Sequence, residues 1–133
     1  MSVHHAIDEQ HALLLTVFRG DLTDDDFRAH LLALRSNPRF HRLMRELVDL
    51  RAVTAGSVSS AMLSQSARWL LHAPEARRAF VAPSDLLFGL FRMYQTHLGD
   101  VGASQVGVFR EIEPALRWLG LTSETELPSA PEP

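Results

Sequence analysis

The chain contains no cysteine, which excludes disulfides and thiolate metal sites outright. It has no lysine either; all 13 of its basic residues are arginine, and 16 acidic residues leave a formal net charge of −3. Nucleic-acid binding asks for a net basic surface with a focused stripe. These arginines are scattered, apart from a loose cluster of Arg35, Arg39, Arg42 and Arg45, so no nucleic-acid partner is expected. No apolar run is long enough to span a bilayer, and stable membrane insertion is not expected. The start, Met1-Ser-Val-His-His, lacks the basic-then-apolar pattern of a secretory signal, so the expected location is cytoplasmic. No Gly-x-Gly-x-x-Gly or P-loop pattern occurs, and no cofactor is implied.

What is present reads as a single globular domain. At 133 residues with 46% hydrophobic content, the chain can bury a real core. Val3 to Ile7 and Ala12 to Phe18 predict two strands, and the short polar Asp8-Glu9-Gln10 between them favours an antiparallel hairpin. Gly20-Asp21-Leu22 is expected to lead out of the sheet. Thr23 is a good N-cap, followed by Asp24, Asp25 and Asp26 in the first helical turn. Phe27, Leu31 and Leu34 mark the buried face of that helix, and Asn37-Pro38 stops it. Glu46 to Leu50 predicts a strand covered on both faces. A polar loop over 51–59 and a second helix from Ser60 to about Leu71 follow, with Leu63, Ala67 and Leu70 as its stripe. Arg78 to Ala82 predicts a strand. Ser84 caps a third helix carrying Leu87, Leu90, Phe91, Tyr94 and Leu98. Gln105 to Phe109 predicts the last strand, and Glu111 to Leu119 the last helix, stopped by Gly120.

The order β-β-α-β-α-β-α-β-α implies an α/β fold. A mixed sheet of about five strands, an antiparallel hairpin followed by parallel βαβ units, carries about four helices. Residues 1–121 form the domain, and the acidic, Pro/Ser-rich segment 122–133 is expected to be a flexible tail.

Four stretches carry a family resemblance: Leu47-Val-Asp-Leu-Arg-Ala-Val-Thr54, Phe80-Val-Ala-Pro-Ser-Asp85, Phe88-Gly-Leu-Phe-Arg-Met-Tyr-Gln95 and Val108-Phe-Arg-Glu-Ile-Glu-Pro-Ala-Leu-Arg-Trp-Leu119. From about Val3 to Leu121 the chain resembles small bacterial STAS-like proteins, the fold of the sporulation anti-sigma-factor antagonists. In those antagonists a Val-Leu-Asp-Leu strand precedes an Asp-Ser-Ser-Gly-like helix start, whose second serine a partner kinase phosphorylates. Counted from Asp49 without gaps, these four positions fall on Ser57, Val58, Ser59 and Ser60. Ser59 therefore matches the phosphoacceptor in residue type, with Ser57 in place of the acid and Ser60 in place of the glycine. The resemblance implies a non-enzymatic regulatory domain with a protein partner such as a serine kinase.

The residues themselves leave several uses open. A phosphate on Ser59, Ser57 or Ser60 would add about −1.5 to −2 charges at a helix mouth whose free N–H groups suit an anion; alternatively one of these serines simply caps the helix. Asp49, at a strand end, would organise the 51–59 loop by accepting hydrogen bonds, or pair with Arg51 or Arg92. Gly89 would let a ligand or another backbone come close. Arg92 would bind an anion or a partner carboxylate, and Arg51 and Met93 complete the partner- or ligand-binding candidates. His4, His5 and His11 flank the hairpin turn. Zinc needs three or four ligands in fixed geometry, and they read as exposed hairpin residues, not as a metal site. Gly56-Ser-Val-Ser-Ser60 lacks the second glycine of a nucleophile elbow.

The expectation is therefore a non-enzymatic STAS-type regulatory or interaction domain, switched by serine phosphorylation near the start of the second helix. The alternative is a small-molecule or lipid-binding module with an apolar pocket between the second and third helices, drawing on Met62, Leu63, Trp69, Leu70, Leu86, Phe88 and Met93. Homodimerisation through the same apolar surface is an equally physical outcome. An enzyme using Asp49 with a serine or histidine is the least favoured reading.

Overall fold

The computed structural model describes residues 2–67, 72–73, 75–99 and 105–129. Its elements are β1 (Ser2–Asp8), β2 (Leu13–Leu22), α1 (Asp24–Ser36), β3 (Arg45–Gly56), α2 (Ser60–Ala67), β4 (Arg78–Val81), α3 (Asp85–His97), β5 (Val106–Phe109) and α4 (Ile112–Trp118), then a 3-10 turn at Glu124–Glu126. The strands form one five-stranded sheet in the order β1-β2-β3-β4-β5. The β1–β2 pair is antiparallel and every later pair is parallel, as the sequence predicts.

Spatial order equals chain order, so each crossover steps one strand in the same direction. Right-handed crossovers then put α1, α2 and α3 on one face of the sheet. Phe27 and Leu31 of α1, Met62 and Leu63 of α2, and Leu87, Phe91 and Tyr94 of α3 share one buried cluster with Phe18, Val48, Leu50 and Phe80 of the strands. The other face is covered by the seven-residue α4 and the chain that follows it. There Leu15, Val17, Leu47, Ala79 and Val81 pack with Ile112, Ala115, Leu116, Leu119 and Leu121.

Local chemistry explains the element ends. Thr23 and Asp26 form a reciprocal capping box: Thr23 Oγ1 accepts from the Asp26 N–H at 3.2 Å, and Asp26 Oδ2 accepts from the Thr23 N–H at 3.4 Å. Phe27, His30, Leu31 and Leu34 are the buried face of α1. Asn37 closes it through its N–H to the Leu34 carbonyl. Ser84 Oγ accepts from the Leu87 N–H at 3.1 Å to start α3. Gly120, at φ 78°, ends α4, and the Leu121 N–H reaches back to the Leu116 carbonyl at 2.9 Å.

Two expectations are corrected. Gly20-Asp21-Leu22 does not leave the sheet, and residues 51–56 are not a loop. β2 and β3 stay paired to Leu22 and Gly56, with register shifts between Val17 and Arg19 and between Gly20 and Asp21. The β4 pairing stops at Asp49–Val81, so the far half of β3 has a neighbour on one side only. Arg51, Ala52, Thr54 and Ala55 are exposed there, and a half-covered strand carries no apolar run to betray it. The connection to α2 is only Ser57 to Ser59. Part of the expected second helix, including Trp69 and Leu70, lies outside the described residues, as do Pro74 and most of the 99–104 loop.

Replacing the capping hydroxyl should weaken the start of α1. Thr23→Ala is expected to lose about 1 kcal/mol of unfolding free energy, read as a lower urea midpoint at unchanged slope.

Candidate functional site

The serines sit where the second crossover enters α2. Ser57 and Ser60 are exposed, and Ser59 is half-buried. Ser59 caps α2: its Oγ accepts from the Met62 N–H at 3.0 Å. The same hydroxyl donates to Asp24 Oδ2 at 2.7 Å, and the Ser59 N–H donates to Asp24 Oδ1 at 2.6 Å. Asp24 lies in the first turn of α1. Its carboxylate therefore ties the starts of two helices together. Ser57 is held to the end of β2, with its N–H on the Leu22 carbonyl at 2.8 Å. The three consecutive aspartates serve different ends: Asp26 completes the capping box, Asp25 pairs with Arg28 at 3.0 Å, and Asp24 reaches Ser59. The spacing of Thr23 and Asp26 marks the box in the sequence, whereas the reach of Asp24 to Ser59, 35 residues on, leaves no local signal.

This rim continues onto α3. Gly56 lies so close to α3 that a β-carbon there would come 2.9 Å from a Leu87 methyl and 3.8 Å from a Leu86 methyl. α3 buries Leu87, Phe91 and Tyr94 on one side. On its outer side Leu86 is 55% and Met93 40% exposed, and a β-carbon on Gly89 would meet nothing within 4 Å. Arg92 is exposed, its guanidinium 5.9 Å from the centre of the Phe88 ring. Arg110 covers Phe88 more closely, at 4.4 Å, and is anchored to Asp85 at 2.7 Å. Met62 and Leu63, part of the apolar set expected to line a pocket between the second and third helices, are instead buried in the common core.

Arg51 does not join this face. It and Asp49 alternate with Val48 and Leu50 along β3 and point to the α4 side of the sheet. Asp49 has no 51–59 loop to organise. Its Oδ1 accepts from the Arg51 N–H and Nε, each at 3.0 Å, and its Oδ2 accepts from the second Arg51 guanidinium nitrogen at 3.0 Å. That nitrogen also pairs with Glu124 at 2.8 Å. Hydrogen bonding from Asp49, reinforced by Glu124, holds the Arg51 pKa above its usual value. Asp49 and Ser59 lie on opposite sides of the sheet and cannot form a catalytic pair.

A buried polar cluster escaped the sequence reading. Glu46, 1% exposed, accepts from Thr16 Oγ1 at 2.7 Å and from Arg78 Nε at 3.5 Å. Arg78 also donates to the Tyr94 hydroxyl at 2.7 Å, and His72 Nε2 lies 3.2 Å from Glu46 Oε1. The cluster fastens β2, β3 and β4 to α3 from inside. Glu46 is the second residue of β3 and Arg78 the first of β4, positions that in sequence read as solvated strand ends. Beside it His5 stacks on His30 with 4.7 Å between ring centres and Nε2 to Nδ1 at 2.6 Å. His5 is thus not an exposed hairpin residue: it faces α1, because it shares a face with Thr16, its partner across the hairpin. His4 is half-buried on the other face, and its Nε2 is buried without a partner. His11 is exposed, with Nδ1 2.7 Å from Asp8. Among the described residues no group of three or more His, Asp or Glu is placed to hold a metal ion, and no helix is long and apolar enough to cross a membrane.

A crystal structure of an uncharacterized protein from the DUF3478 family with a SpoIIAA-like fold, from Shewanella loihica PV-4, matches this chain with a TM-score of 0.55 and 18% identity, covering 89% of this chain and 92% of that one. No protein-family model matches the chain, and no curated protein does. The fold is therefore SpoIIAA-like, which is the STAS-like fold that the sequence resembles.

Two predictions follow from this chemistry. His30 and His72 are held well below the ordinary imidazole value of 6.5, by desolvation first and then by neighbouring cationic groups; His5 is lowered too, chiefly by burial. Below pH 6.5 the unfolded chain binds protons that the folded core refuses, so stability is complete above that pH and declines below it. Unfolding free energies from urea titrations are expected to be flat from pH 8 to 7 and, below pH 6.5, to fall by up to about 1.4 kcal/mol per pH unit for each of His30 and His72, and a His30→Leu/His72→Leu double variant flattens the profile. At the rim, Ser59→Asp sets a carboxylate against Asp24 and costs more than the roughly 1 kcal/mol of Ser59→Ala. Asp24→Asn recovers that excess in a double-mutant cycle.

Proposed function

We propose that this chain is a non-enzymatic STAS-type regulatory module that works by docking a protein partner on the face built from Gly56–Ser60 and the outer side of α3. The observation that carries this reading is the exposed pair Leu86 and Met93, flanking the open surface over Gly89 and next to the serine-bearing start of α2. Contiguous exposed apolar surface is characteristic of interaction sites, Leu86 and Met93 share one side of α3 across Gly89, and a polar rim around an apolar centre is the usual anatomy of an interface. Arg92, at the margin, suits a carboxylate of the partner.

The serines supply the regulation. The hydroxyl of Ser59 is spent on capping and on Asp24, and a phosphate there would face that carboxylate. Ser60 and Ser57 are the exposed hydroxyls, and a phosphate on either would bring about −1.5 to −2 charges to the edge of the apolar stripe. Docking would then be released by charge and desolvation without any remodelling of the core.

The test places a photoreactive residue at position 86, 93 or 117, the last on the exposed side of α4, and irradiates source cells. One discrete adduct shared by positions 86 and 93 and absent at 117 is expected; an adduct of twice the chain mass makes a second copy the partner. No adduct, or the same adducts at all three positions, rejects the docking face. Treatment with cognate serine kinases followed by mass spectrometry is expected to label Ser60 or Ser57. Absence of label removes the switch and leaves the docking face standing.

A further inference from the structure

The sheet face opposite α1–α3 holds a second candidate site. α4 packs mainly over β4 and β5, and the β2–β3 part of that face is covered by the edge of α4 together with the described chain after Leu121. Between sheet and roof lies a cleft of about 570 Å³, within the size range of small-molecule sites, about 300–1,000 Å³. Its floor is Leu15, Val17 and Leu47, which are buried under the roof, so an occupant reaches them by displacing Leu127; Arg19 and Arg51 stand at its side, and Glu124 and Leu127 come from the roof.

The charges define what such a cleft can take. Arg51 is already held by Asp49 and Glu124. Arg19 is half-buried and makes no hydrogen bond or ion pair with a described residue. A half-buried guanidinium over an aliphatic floor gains by meeting an anion that also brings apolar surface. The chain itself displays that combination: Glu124 puts a carboxylate on Arg51, and three residues on Leu127 packs against the apolar cluster of this face. Residues 124–127 thus act as an internal copy of an amphipathic carboxylate, leaving one cation and part of the volume unused.

We propose that this cleft binds a small amphipathic carboxylate, its aliphatic part on Leu15, Val17 and Leu47 and its head group on Arg19, with Glu124 as the internal competitor for the neighbouring Arg51. The site is independent of the docking face, since the two lie on opposite layers of the sheet.

The probe is decanoate, kept below its micelle concentration, with decanol as the neutral control, followed by calorimetry and by methyl NMR of the intact chain. Decanoate is expected to bind saturably at one site, shifting the methyl signals of Leu15, Val17 and Leu47 and not those of Leu86. Decanol and the Arg19→Gln variant with decanoate are each expected to bind at least about tenfold more weakly, the scale of one lost charge-assisted hydrogen bond. Glu124→Gln is expected to bind several-fold more tightly, which loss of a merely structural ion pair would not produce. Absence of saturable binding, equal binding of decanol, shifts centred on Leu86, or an unchanged affinity in Arg19→Gln each overturns the proposal. The decanol comparison needs no substitution and so decides even if a variant folds poorly.

Discussion

The hand of the crossovers is the constraint on which the rest of the structure depends. Strands β2 to β5, laid down in chain order and joined by helical connections that are right-handed by rule, force α1, α2 and α3 onto one layer. That layer is then overfilled. Three helices cover a sheet of five strands, and α3, with its neighbour α2 and the end of β3 against it, leaves Leu86 and Met93 exposed among the described residues. The opposite layer is underfilled, with one seven-residue helix and a returning chain. An apolar stripe on one side and an open cleft on the other are two consequences of one topological fact.

The buried polar cluster sets the details within that plan. A carboxylate and a guanidinium in a core are costly unless their remaining hydrogen-bonding capacity is met. Glu46 is met by Thr16 and Arg78, while His72 Nε2, 3.2 Å away, makes no hydrogen bond to it, and Arg78 passes its second donor to Tyr94. Tyr94 is one turn from Phe91, whose ring stacks on Phe80 at 4.9 Å. Aromatic packing alone would tolerate some rotation of α3 about its axis; a directional hydrogen bond to the Tyr94 hydroxyl does not. Fixing that phase decides that Leu87 points in and that Leu86 and Met93 point out. The polar core thereby shapes the outer surface without touching it.

Much of this plan was legible in the chain. Asp24 to Leu34 announces its helix through cap, acidic turn and apolar spacing, and the order of elements yields the sheet. What was not legible depends on pairings distant in sequence. Residues 51–56 are strand because β2 extends beside them, and no periodicity inside RAVTAG records that. Glu46 and Arg78 look like charged strand ends until the parallel register sets them side by side. By sequence Arg51 falls in the 51–62 working surface, to which the adjacent third helix contributes Gly89, Arg92 and Met93. The two-residue alternation of β3 sends it to the other layer. Residues 122–129 read as solvated by composition, yet Leu127 finds an apolar site and Glu124 a cation.

Ser59 and Asp24 show why comparison by motif position alone misreads this rim. The antagonist motif places an acid two residues before the serine in the chain; here that position is Ser57, while Asp24 brings a carboxylate to Ser59 from α1. The chemistry at the helix mouth is acid beside hydroxyl, reached by a different route. The route matters mechanically. An acid on the same loop acts on α2 alone, whereas Asp24 belongs to the first turn of α1, next to the Thr23–Asp26 box. Any charge added at Ser59 is therefore felt at the starts of two helices, both on the crowded layer. Charge added at Ser60, one position on and exposed, meets no such partner and changes only the surface. The same stretch of serines thus separates Ser59, tied to two helix starts, from the exposed Ser57 and Ser60, which make no hydrogen bond to Asp24.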